Sequence, residues 1–427
     1  MPKHYLSLVL FLMVNIHLSA QVTLEQCVTL ACDNYPLIKK YNLLHRMKEV
    51  NLSDINKNWL PQINIYAQGS VQNETPSFPE SLSGMLHQSG VTISGLDELQ
   101  YKVGVDVNQT IWDGQMSKAQ KKVETALEVE RQAAIDVRLY AIRKQVEDLF
   151  FGILLIEEQA KQIQSMKLLL WNNLDKLRVM CKNGTAMQSD ADMVEAQYLT
   201  TVQQLIQAEN TARNYRKMLE LFVGKSLIGQ NLVKPDVSIP QSLLPERPEL
   251  KYFEAQMQTN AARKLGITSS IMPKVCLFTQ VYYGYPGLDY FESMINHKLS
   301  FNILAGVKVS WNIGAFYRKR NDWHKLDLSS EDVSIEREIF LFNTNLQTRS
   351  QLDHINELKA IMKENDRIVE LRTSVRKAAE SQLDNGVIDA TELLTKLTDE
   401  KQARLTASYH EIQLIQSICQ LKNTLNR

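Results

Sequence analysis

The chain has 427 residues, and its 48 basic and 48 acidic side chains cancel to a formal charge of zero. That balance excludes the basic footprint of a nucleic-acid binder, and a 22% share of charged residues excludes a disordered tail. With 16 Gly and 11 Pro the chain is also poor in the turn residues of a loop-rich sandwich.

Residues 1–20 read as an export signal. Lys3 and His4 give a basic end, Tyr5 to Leu18 is apolar but too short to span a bilayer, and Ser19-Ala20 precedes Gln21. Cys27 follows Leu24-Glu25-Gln26, which lacks the small residues of a lipoprotein signal, so no N-terminal lipid is expected. Cys27, Cys32, Cys181, Cys276 and Cys419 are scattered and odd in number, and read as isolated buried thiols rather than a disulfide framework or metal site. Beyond the signal no run of about 18 apolar residues occurs, so no transmembrane helix is expected. An exported chain of this kind is soluble or belongs to an outer-membrane β-barrel.

A first helix is predicted from Pro36 to Asn58, with Pro at its start and Pro61 past its end. A strand follows, in which Ile63, Ile65, Ala67, Gly69 and Val71 alternate with Gln62, Asn64, Tyr66, Gln68 and Ser70. Gln72 to Leu96 is Gly/Pro/Ser-rich and reads as a loop. A second strand sets Tyr101, Val103, Val105 and Val107 against Lys102, Gly104, Asp106 and Asn108. From Gln115 to about Met180 the chain is free of Pro, and Ala119, Ala126 and Ala133 recur at sevens as a narrow packing seam. A helix of that length reaches about 100 Å. Asn183-Gly184 then reads as a helix-to-helix turn, because Gly or Asn supplies the left-handed residue that ends a helix. Ser189 is a candidate N-cap, and a returning helix runs from Asp190 to Phe222.

The order then repeats. A helix is predicted from Pro248 to Ser270, followed by Pro273 and a strand from Val275 to Tyr283 in which Phe278 and Tyr282 interrupt the polar face. The next strand sets Ile303, Ala305, Val307, Val309 and Trp311 against Asn302, Gly306, Lys308, Ser310 and Asn312. A long helix from Phe316 to Leu383 leads to Asn385-Gly386, with Thr391 as candidate N-cap and a return from Glu392 to Leu425. Pro36 to Pro61 and Pro248 to Pro273 both step 25 residues, and Gly104 to Gly184 and Gly306 to Gly386 both step 80. The spacing predicts two copies of a helix-strand-strand-helix-helix unit, 21–235 and 236–427. Their strands are expected near 62–71, 100–112, 274–284 and 301–313, and their hairpin tips at 182–188 and 384–390.

Four strands cannot close a membrane barrel, and open edges are not tolerated in lipid, so a spanning sheet demands an oligomer. An enzyme is not expected. The chain has no Gly-x-Ser-x-Gly, His-Glu-x-x-His, P-loop or dinucleotide fingerprint, and His297, His324 and His354 share no ligand spacing and read as isolated surface residues. A coiled-coil scaffold or adhesin without a pore accounts for the helices but not for four alternating strands.

The whole pattern after the signal resembles the TolC family of outer-membrane efflux proteins. The resemblance lies in VTLEQCVTLACDNYPLIK, WLPQINI, VGVDVNQTIWDG, DLFFGILLIEEQ, the two Asn-Gly turns and RPELKYFEAQMQTNAARK, taken in order and in duplicate. It implies a mainly α fold with β. Three chains would pool their strands in a twelve-stranded outer-membrane barrel, continued by a long helical barrel in the periplasm. It implies a passive channel of a tripartite efflux or type I secretion system, without cofactor. The partners would be a periplasmic adaptor (membrane fusion) protein, an inner-membrane pump of RND, ABC or similar type, and outer-membrane lipid. The tips at Asn183, Gly184 and Thr185, and at Asn385, Gly386 and Val387, would dock the adaptor. Acidic rings at the periplasmic constriction would fall at Asp190 or Asp192 and at Glu392, with Asp389 close by; helix N-termini favour acids for their own reasons too. Where relatives carry aromatic and basic gating residues this chain has Leu383 and Ile388, which points to an apolar constriction. Lys102, Asp106 and Lys308 would face the barrel lumen. Trp112 and Trp311 would pack at strand ends or sit in an aromatic girdle.

Overall fold

The computed structural model describes residues 21–90 and 92–427. The expected export signal lies outside them. The described chain runs β1 (Gln21–Val22), α1 (Leu24–Asn34), a 3-10 turn (Pro36–Ile38), α2 (Lys39–Lys57), β2 (Gln62–Val71), α3 (Glu80–Gln88), β3 (Leu99–Trp112), α4 (Met116–Lys182) and α5 (Gln188–Val223). It continues with β4 (Asn231–Leu232), α6 (Pro248–Ser270), β5 (Lys274–Tyr285), α7 (Tyr290–Asn296), β6 (Ser300–Ser310), α8 (Ala315–Asp384) and α9 (Ala390–Leu425). None of these helices is long and apolar enough to cross a membrane. The chain divides into two compact units, one of residues 21–41, 134–251 and 337–427, the other of 42–133 and 252–336.

The first unit is helical. The apolar run beginning at Phe150 becomes its core: Phe150, Phe151 and Ile153 of α4 meet Cys27, Val28 and Ala31 of α1, Leu219 and Val223 of α5, and Ile412 and Cys419 of α9. Helix α1 starts on a reciprocal cap, Thr23 accepting from the Gln26 amide while the Gln26 side chain accepts from Thr23. Burial pushes the Cys27 and Cys419 thiols up to about 11 and 12, so both behave as small apolar residues. A second core packs Leu170, Leu174 and Leu177 of α4, Val194 of α5, Leu383 of α8 and Leu393 and Leu397 of α9 around the two hairpin turns.

The second unit is built on one antiparallel sheet in the order β2-β3-β5-β6. Its edges are therefore β2 and β6. The segment Gln72–Leu96 is not all loop, because Glu80–Gln88 forms helix α3; the run SLSGMLHQ contains no β-branched residue after its two Pro and makes a helical turn locally. The start of α2 also shifts. Pro36 opens a 3-10 turn, and the α-helix begins at Lys39.

Candidate functional site: a two-faced sheet and two helical tips

The register of the sheet sorts its side chains. Ile63, Ile65, Ala67 and Val71 lie opposite Val107, Val105, Val103 and Leu99. Those valines lie opposite Thr279, Val281 and Tyr283, which in turn face Ala305, Ile303 and Phe301. Opposed residues in an antiparallel pair point to the same side, so one face is apolar across all four strands. It is also uncovered: Ile65 is 80% exposed and Val71 76%, and Phe301, Val307 and Val309 are exposed as well.

The other face is polar and internally bonded. Lys102, Asp106 and Lys308 all lie on it, as the alternation predicts. Asp106 accepts from the Gln280 amide at 3.0 Å, and that amide also reaches the Tyr66 hydroxyl at 3.0 Å. The Lys102 ammonium lies 5.9 and 5.4 Å from the ring centres of Tyr66 and Tyr282, within cation–π range. Phe278 and Tyr282, which break the alternation in sequence, occupy space left by cross-strand glycines. A Cβ on Gly306 would stand 2.9 Å from the Phe278 ring, and one on Gly104 2.7 Å from the Tyr282 Cβ. Sequence reasoning missed Tyr66 and Gln280 as members of this network; the signal was an aromatic in a polar slot of β2.

At the ends of the strands Trp311 donates to the Ile271 carbonyl at 2.9 Å and stands edge-on to Phe316, a packing role at the junction of sheet and helix. His297 is not isolated. It contacts Ser94 at 2.5 Å and Asp97 at 3.0 Å, tying the segment after α3 to the end of α7. Ser94 and Asp97 lie some 200 positions away in sequence, beyond the reach of any spacing rule, and Tyr285, 12 positions away, also meets the ring at 3.3 Å.

The two tips in the helical unit have one construction. Thr185 N–H donates to the Met180 carbonyl and Gly184 N–H to Cys181; Val387 N–H donates to Gln382 and Gly386 N–H to Leu383. These are the paired bonds of a Schellman ending, and the left-handed residue is Gly in both, with φ of 71° and 70°. Asn183, Gly184 and Thr185, and Asn385, Gly386 and Val387, are all exposed. The predicted caps are corrected. Helix α9 is capped by Asp389, whose carboxylate accepts from the Glu392 amide at 2.8 Å, not by Thr391. Helix α5 starts after Met187, not at Ser189, and Asp190 reaches back to the Met187 amide at 3.3 Å. In both cases the helix begins a residue or more earlier, because an acid inside the first turn or just before it satisfies the free amides.

The candidate constriction residues therefore differ in kind. Asp190 and Asp389 are bound into helix starts, Asp192 accepts from Gln188 at 2.8 Å, and Glu392 is exposed. Leu383 is 5% exposed inside the tip core, and Ile388 packs against that core. About two turns further in, Glu400 is 4% exposed and holds Arg376 at 2.5 Å and Arg404 at 2.7 Å while accepting from Thr373. Burial alone would raise its carboxyl pKa; the Thr373 bond and the two guanidinium groups outweigh burial and bring it down.

No protein-family model matches the chain, and no curated protein sequence does. Solved structures do. The outer-membrane channel OprN is 14% identical with a TM-score of 0.66 over 94% of this chain and 89% of its own. The outer membrane protein VceC of Vibrio cholerae is 10% identical, TM-score 0.66, over 94% and 95%. The MtrE outer membrane channel of Neisseria gonorrhoeae, solved in its open state, is 13% identical, TM-score 0.64, over 94% and 88%. The likeness establishes the fold: mainly helical with a small antiparallel sheet, that of TolC-like outer-membrane channels.

Proposed function

From the fold of outer-membrane channels, we propose that this chain is an outer-membrane channel subunit of an efflux or type I secretion system. The observation that carries the reading is the sheet: one face apolar and uncovered across four strands, the other polar and bonded, with the outer edges of β2 and β6 unpaired among the described residues. An apolar face of that size is out of place in water, and unpaired edges are out of place in lipid. Both conditions are met when copies of the chain join β6 to β2 in a closed ring. The alternation of direction along β2-β3-β5-β6 makes that junction antiparallel. Such a contact is head-to-tail and must close by rotation. Three copies give twelve strands, within the range of natural barrels, in a protein that resides in the outer membrane and reaches into the periplasm. The strands, with ten to fourteen residues each, suit a tilted span.

In this reading 21–235 and 236–427 are two copies of one unit, and both contain the order helix, strand, short helix, strand, long helix, returning helix, preceded in the first by α1. Lys102, Asp106 and Lys308 line the lumen. The exposed tips at Asn183–Thr185 and Asn385–Val387 meet a periplasmic adaptor, behind which an inner-membrane pump supplies the energy. Asp190, Asp192, Asp389 and Glu392, repeated by rotation, give the constriction a negative field. Ile388 supplies its apolar part, with Leu383 supporting it from the core. The protein needs no cofactor and no catalytic group. Reconstitution into planar bilayers tests the reading: the assembled protein conducts, and an assembled protein that never conducts returns it to a helical scaffold.

A further inference from the structure

Several cations of the helical unit are matched by carboxylates. Arg216, beside a cavity of about 950 Å³, is held by Glu157 and by the carbonyls of Leu227 and Gln230. Lys176 meets Asp384, Arg178 meets Glu195, and Lys234 meets Glu411. Lys401 on α9 is different. It is half-buried in a cavity of about 460 Å³ between α4, α5 and α9. No carboxylate among the described residues forms an ion pair with it. Its ammonium donates to the Gln204 side chain at 3.0 Å, which leaves two N–H groups free. Gln159 and Gln207, both exposed, line the same cavity, and their carboxamides make no side-chain hydrogen bond among the described residues. Ile163 and Leu405 form an apolar wall. Burial is the one cause acting on Lys401, and it lowers the ammonium pKa, as expected for a cation removed from water without a counter-charge.

We propose that this cavity binds a small organic anion, its carboxylate on Lys401 and the glutamine amides and its short apolar chain along Ile163 and Leu405. The ligand supplies the counter-charge that the protein withholds, and charge-assisted hydrogen bonds are the strong ones. Neutral amides around one cation favour a single negative charge, and the apolar wall favours a ligand with a hydrocarbon part over a fully hydrated inorganic ion. The site is formed by three helices of one chain and does not rest on the channel reading.

The test is calorimetric titration of the purified, intact assembly with hexanoate, with hexanamide as a neutral isostere, and with inorganic phosphate. Hexanoate is expected to bind saturably, at least about tenfold tighter than hexanamide, the equivalent of about one charge-assisted bond. Lys401→Met should weaken hexanoate at least about tenfold, and Lys401→Arg should retain it. Because Lys401→Met removes an uncompensated half-buried charge, its melting temperature should not fall, and lost binding then reports the site rather than the fold. Equal binding of hexanoate and hexanamide, or unchanged binding to Lys401→Met, overturns the site. Phosphate matching hexanoate overturns the organic part of the assignment.

Discussion

Two buried carboxylates in the helical unit carry opposite pH signatures. Glu147 of α4 is 5% exposed, and its carboxylate accepts from Asn423 at 3.2 Å. Burial pushes its pKa up from 4.5 to about 7, against the pull of Arg143 and with the push of Asp148 and Glu25. A raised carboxylate pKa means that the unfolded chain loses the proton first. Stability then falls as pH rises from about 4.5 to 7 and stays lower above, by about 3 kcal/mol. Glu147→Gln keeps an acceptor for Asn423 and removes this slope. Denaturant unfolding between pH 4.5 and 8 should show the wild type weakening over that window and the variant flat. Glu400 acts the other way. Its lowered pKa contributes stability above its ordinary value of 4.5 that is lost as pH falls below it. Glu400→Ala removes the partner shared by Arg376 and Arg404; because Arg376 keeps Glu380 at 2.6 Å and Arg404 is 42% exposed, the cost should be about 1–3 kcal/mol, read as a lowered denaturant midpoint.

Among the elements, the tips isolate a backbone effect. A Cβ on Gly386 would meet nothing within 4 Å, so Gly386→Ala should cost only the left-handed conformation, about 1–2 kcal/mol. Gly386→Asn should cost less, since Asn tolerates that region. Amide exchange at Val387, whose N–H closes the turn, should speed up in the order Gly, Asn, Ala; equal rates would show that the turn is held by its side chains instead. The element scale is also where the sequence was most readable. Long Pro-free helices and alternating strands express periodicity directly, and Asn-Gly between helices has few other meanings. The short helices α3 and α7 escaped because each is too short to show a period, whereas α1 was legible and overlooked: Leu24, Cys27, Val28 and Ala31 fall at helical spacing behind the Thr23–Gln26 cap. The caps escaped because Ser189 and Thr391 are good cap types lying just inside the helix, while Asp389 and Asp190 lay in plain view under another label. The Tyr66–Gln280–Asp106 network and the His297 contacts with Ser94 and Asp97 escaped for a deeper reason. They join residues that only the sheet register or the loop fold brings together, and no local pattern encodes that.

At the scale of the whole molecule, the proposed barrel wall, with its apolar face to lipid and its polar face to the lumen, would make neighbouring residues respond oppositely to the same substitution. Ile65 points to the apolar face opposite Val105, and Asn64 to the polar face opposite Asp106. Ile65→Lys should cost about 2–4 kcal/mol if Ile65 lies near the middle of the bilayer. Asn64→Lys should cost little, because it gains a cross-strand carboxylate and stays in water. In a sheet folded in water both lysines would be solvated, and Ile65→Lys would be nearly neutral. The difference between the two variants therefore reads the environment of the face itself. The same open edges call for a closed ring, and on the proposed reading of twelve strands the native mass of the detergent-extracted complex should be that of three chains. In that trimer, paired cysteines placed on β2 and β6 should crosslink between chains and never within one, because those strands are the two ends of each sheet. A monomer that keeps its sheet in detergent would leave both edges unpaired in an apolar medium. The channel reading does not survive that result.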